Sequence, residues 1–69
     1  MSALCVRLLD LLMRPMGCTV SEAEEELGAT AAAVRNMVRE LRAVVVVRSE
    51  YVHVPGRGIC ARHFVEARR

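Results

Sequence analysis

With 69 residues the chain has room for one domain, spanning 1–69, and a domain this small buries only roughly 60% of its unfolded surface, which argues against a deep cleft of convergent catalytic groups. Its apolar fraction is 54% with one Tyr, one Phe and no Trp, so the core must be built from small aliphatic side chains and Met. The net charge is +2, but residues 1–34 hold two arginines against five carboxylates and residues 35–69 hold eight against three, which suggests one basic face for an anionic partner.

Ser2 can cap a first helix that runs to about Arg14. Leu4, Leu8, Leu11 and Leu12 lie at helical spacing, and Cys5, Val6, Leu9 and Met13 widen the apolar stripe beyond one face. Such a helix is either central to the core or shared with a second subunit, so Leu4, Leu8, Leu9 and Leu12 are a candidate homodimer surface. Pro15 and Gly17 stop the helix. Cys18-Thr19-Val20 reads as one brief strand. Ser21 is then the expected N-cap of a second helix, with Glu24 completing a Ser-x-x-Glu capping box. Glu22, Glu24 and Glu25 suit the positive end of that helix dipole, so the acidic cluster needs no catalytic explanation.

Gly28 ends the second helix and Thr30 caps the third. Val34, Val38 and Leu41 form its buried stripe at i, i+4 and i+7, with Met37 at the core edge. Arg35, Asn36 and Arg39 fall on the opposite face, and Arg42 follows a turn later. Two helices joined by the short turn Gly28-Ala29-Thr30 make a helix-turn-helix, whose second helix commonly enters the DNA major groove. Beyond Ala43 the period changes. Val44–Val47 and Tyr51–Val54 are β-prone, Pro55-Gly56-Arg57-Gly58 is a loop with an arginine at its tip, and Ile59–Glu66 is a last strand anchored by Phe64. A hairpin could turn at Arg48-Ser49-Glu50 or at residues 55–59; the second is favoured, with Arg68-Arg69 frayed.

Cys5, Cys18 and Cys60 are odd in number and lack close spacing, which disfavours a disulfide framework and points to a reducing cytosol. Cys60-x-x-His63 with His53 nearby lacks a second knuckle, so no metal or other cofactor is expected. The apolar run from Ala3 to Met13 is interrupted by Arg7 and Asp10 and is too short to span a bilayer. No catalytic constellation, phosphate-cradling glycine loop or small-molecule substrate site emerges, so an enzyme is the weakest reading.

The order of helix, brief strand, helix, turn, helix and β hairpin, together with Leu27-Gly28-Ala29-Thr30-Ala31-Ala32-Ala33-Val34 and the later Val38 and Leu41, resembles the winged helix-turn-helix domains of bacterial and phage transcription regulators. The resemblance covers most of the chain and implies an α+β fold of three helices plus a C-terminal hairpin, the wing. It implies double-stranded DNA as partner, with the third helix in the major groove and the wing on the backbone or in the minor groove. Carried onto this sequence, Thr30 would hold a phosphate, Ala32, Arg35, Asn36, Arg39 and Arg42 would face bases or flanking phosphates, and Arg57 would be the wing contact. The expected function is a cytoplasmic, repressor-like DNA-binding regulator. The alternative is a winged-helix module that binds protein and makes no direct DNA contact, motivated by the high apolar fraction and the alanine-rich start of the third helix.

Overall fold

The computed structural model describes residues 2–68. Three helices, α1 (Ala3–Leu12), α2 (Val20–Leu27) and α3 (Ala31–Leu41), are joined to an antiparallel three-stranded sheet of β1 (Cys18–Thr19), β2 (Val45–Val54) and β3 (Gly58–Arg68). The protein is therefore a small mixed α+β domain. In the sheet the order is β1-β3-β2, so β3 is central and β2 forms an edge.

Ser2 caps α1 by accepting the Cys5 N–H at 3.1 Å. The helix ends at Leu12, two residues before the expected Arg14, because Pro15 disfavours helical backbone in the residue before it. Cys5, Leu8, Leu11 and Leu12 are all buried. This overturns part of the expected dimer surface: Leu8 and Leu12 are core residues and cannot meet a second subunit, while Leu9 is half-buried against the core and only Leu4 is exposed. Cys5, Leu8, Leu11 and Leu12 are covered because α1 packs on both other helices and on β3, while Val6 and Met13 stay exposed.

The start of α2 also corrects the sequence reading. Its N-cap is Thr19, not Ser21: Thr19 Oγ1 accepts the Glu22 N–H at 3.1 Å and the Thr19 N–H donates to Glu22 Oε1 at 2.9 Å. The capping box is therefore Thr19-x-x-Glu22, two residues earlier than Ser21-x-x-Glu24. The cause is tertiary. Thr19 is held extended by pairing with Arg62 of β3, so the chain enters the helix directly from the strand. Thr19→Ala is expected to cost about 1 kcal/mol by urea denaturation, whereas Ser21→Ala stays within about 0.5 kcal/mol. Equal losses would reject this assignment of the cap.

Gly28 turns the chain at φ +62, and Thr30 caps α3 by accepting the Ala33 N–H at 3.1 Å. Val34, Met37, Val38 and Leu41 are buried; Met37 belongs to the core itself and not to its edge. The core is completed by Cys18, Ala23, Leu27, Val45 and Val47.

β2 is one continuous strand, so Arg48-Ser49-Glu50 runs through its middle and forms no turn. The hairpin turns at Pro55-Gly56-Arg57, as the favoured pairing requires, with the Arg57 N–H bonded to the Val54 carbonyl at 3.0 Å. β3 also extends further than expected. Arg68 pairs with Val45 and is not frayed, while Arg69 lies outside the described residues.

Candidate nucleic-acid interface

Ala32, Arg35, Asn36 and Arg39 are spaced i, i+3, i+4 and i+7 along α3, and all four are exposed. Burial of Val34, Val38 and Leu41 on the other side fixes this orientation. Arg35 and Arg39 enter no ion pair among the described residues. Thr30 stands at the start of the same helix with its hydroxyl engaged by the Ala33 N–H.

An open groove of about 480 Å³ separates α3 from the hairpin, with Arg35, Val38 and Ala31 on one wall and Ile59, Ala61 and His63 on the other. Glu24 of α2 contributes one carboxylate to its rim. On the outer half of the hairpin Tyr51 and Ile59 are 77% and 72% exposed, so the hairpin carries apolar as well as basic groups. Arg57 at the tip leans back, and its guanidinium donates to Ser21 Oγ near the start of α2. Ser21 thus supports the hairpin in place of capping the helix.

Arg42 departs from the outer face of α3. Its guanidinium donates to the Val47 carbonyl and to Ser49 Oγ, each at 3.1 Å. Ser49 Oγ lies 2.7 Å from His63 Nδ1. Arg42 can only donate, so the Ser49 hydroxyl accepts from it, and its own proton is free to point at Nδ1 when the neutral ring carries its hydrogen on Nε2. Burial, and then the Arg42 charge, push the His63 pKa below the ordinary imidazole value. This cluster was not visible in the sequence, because only the register places Ser49 opposite His63.

A second unpredicted cluster ties the sheet to the helices. Arg62 donates to the Met16 carbonyl at 2.8 Å and to both Glu22 carboxylate oxygens, at 3.0 and 3.3 Å. The Thr19 N–H bond, and then Arg62, hold Glu22 below the usual carboxylate range. Protonating either group opposes folding. For His63 the unfolded state binds the proton more readily, so stability falls as pH drops below about 6.5. For Glu22 a further loss begins below about 4.3, its ordinary pKa, and continues as pH falls through its lowered folded value. His63→Gln is expected to flatten the first phase and Glu22→Gln the second in urea titrations at stepped pH. A wild-type protein whose stability does not change between pH 7 and pH 3 would contradict both assignments.

Cys60 and His63 lie three residues apart on one strand and so project from opposite faces, an arrangement that does not converge on one ion. Burial raises the thiol pKa of Cys5, with Glu40 adding to it, and that of Cys18, with Glu22 adding to it; these are the conditions of unreactive core cysteines. Among the described residues no helix is long and apolar enough to cross a membrane. No family model, curated protein or solved structure matches the chain.

Proposed function

We propose that the chain is a DNA-binding transcriptional regulator of winged helix-turn-helix type, with α3 inserted in the major groove and the hairpin on the backbone or in the minor groove. The single observation that carries this reading is the outward face of α3, where two arginines and one asparagine stand exposed on a helix whose other face is buried. Arginine pairs in two-pronged fashion with guanine and asparagine with adenine, each pair worth ~1–3 kcal/mol of base discrimination. The amides at the start of α3 suit a phosphate, and the hairpin supplies Arg57 on the other side of the groove. Residence in the cytoplasm and the absence of an enzymatic role follow from this reading. Selection from random duplex DNA tests it: a recovered consensus with salt-dependent affinity is expected, and no enrichment even at low salt would refute it.

A second reading, a winged-helix module that binds protein, has its own support. Val6, Met13 and Met16 are 52%, 62% and 71% exposed along α1 and the turn after it, apolar surface with no role in the DNA reading. The same selection separates the two, since this module recovers no consensus.

A further inference from the structure

We propose that two copies of the chain pair antiparallel along the outer edge of β2, about a twofold axis at Ser49, to form a continuous six-stranded sheet. β2 is ten residues long, and among the described residues its far side has no strand neighbour. Exposed edges are ordinarily blunted by lysine, proline or a bulge. β2 contains no lysine or proline, and its one irregularity, between Val46 and Val47, lies near its start.

The register follows from the charges. About an axis at Ser49, Arg48 of one copy stands opposite Glu50 of the other, and the symmetry repeats the pair. Val47 then meets Tyr51 and Val46 meets Val52, the β-branched and aromatic pairings that stabilise sheets. Within each copy Glu50 already stands opposite Arg62 on β3, so the row across the assembled sheet reads positive, negative, positive. Arg48 also pairs with Glu50 and with Glu66 of its own copy. The register at Ser49 adds opposite charges across the edge, whereas an axis at Tyr51 would set Arg48 against Val54 and Glu50 against Val52 and add none. The exposure of Tyr51 is accounted for by the first register.

The backbone is available for this pairing. Arg42 reaches the Val47 carbonyl from outside the sheet, which marks Val47, Ser49, Tyr51 and His53 as the residues whose polar groups face outward. The Val47 carbonyl keeps a second lone pair for the partner strand. The axis is perpendicular to the sheet, so the helices of both copies lie on one side. The Val54 ends of the two β2 strands lie ten residues apart along the strand, roughly 34 Å. This equals about one turn of DNA. Only that correspondence rests on the proposed function; the pairing itself does not.

The test is sedimentation equilibrium without nucleic acid, from about 1 μM to 1 mM, on the wild type, Arg48→Glu and Glu50→Arg. The wild type is expected to dimerise. Each variant puts like charges opposite each other twice and should weaken self-association roughly tenfold or more. Mixing the two variants restores both opposite-charge pairs and should recover the dimer, which an effect confined to one copy cannot do. Amide exchange gives a readout independent of the variants: the Ser49 and Tyr51 amides should gain protection as wild-type concentration rises. A wild type that stays monomeric, a dimer indifferent to either charge reversal, a mixture that fails to associate, or exchange at Ser49 and Tyr51 independent of concentration would each overturn the proposal.

Discussion

Replacing Arg35 and Arg39 together by alanine is expected to weaken binding to the selected DNA site by about 2–6 kcal/mol, from ~1–3 kcal/mol for each arginine that reads a base edge. The size of the loss is separable from damage to the fold. Both side chains are exposed, and alanine is the better helix former, so the interior of α3 is not weakened. Arg39 sits in the last turn, where its charge favours the helix by ~0.3–1 kcal/mol, and that sets the upper limit on lost stability. A titration series over single-base variants of the site distinguishes reading from mere attraction. If these arginines touch bases, the loss shrinks on sites already mutated at the contacted position. Arg57→Ala should behave differently, lowering affinity evenly over all sequences and reducing the salt slope by about one. Unchanged affinity in the double variant would remove α3 as the recognition element.

The helices were legible in the sequence because their signals are local. Val34, Val38 and Leu41 define one face of α3 by spacing alone, and Gly28 followed by Thr30 marks the turn through left-handed backbone and capping. The outward placement of Arg35, Asn36 and Arg39 followed from the same periodicity. What could not be read locally was decided by contacts far along the chain. Thr19-x-x-Glu22 and Ser21-x-x-Glu24 are equally good capping boxes on paper, and the choice is made by pairing of Thr19 with Arg62, forty-three residues later. Arg48-Ser49-Glu50 resembles a turn because it is polar, yet the ladder to β3 carries it through as strand. Arg42 resembled a further outward residue of α3, but the strand that follows supplies Val47 and Ser49 as acceptors and draws it away. The sequence likewise showed that α1 was apolar too far round, but not that two other helices and β3 would cover Leu8 and Leu12.

Gly17→Ala is expected to be the most damaging single-methyl change in the domain, and its contrast with Gly28→Ala isolates the reason. Both glycines adopt positive φ, +59 and +62, where an L side chain costs ~1–2 kcal/mol. A Cβ at Gly28 meets nothing within 4 Å, so Gly28→Ala should lose about that amount and stay folded. A Cβ at Gly17 collides with the backbone carbonyl of His63 and comes within 2.7 and 2.9 Å of the Phe64 ring. The ring can turn aside; the carbonyl cannot, because β3 is the central strand of the sheet. Relief therefore requires moving residue 17 away from β3, and the next two residues are β1 itself. Separation of Cys18 from His63 and Thr19 from Arg62 removes the extended backbone that caps α2, so the damage passes from one methyl group to α2. A loss above ~4 kcal/mol is expected, near the whole ~3–5 kcal/mol that a core of this size supplies. Circular dichroism with urea titration should find Gly17→Ala largely unfolded at 25 °C and Gly28→Ala folded with a lower midpoint. Adding Phe64→Ala to Gly17→Ala should not restore folding, because the carbonyl remains. If the double variant recovers wild-type stability, the ring and not the strand backbone sets the limit at Gly17.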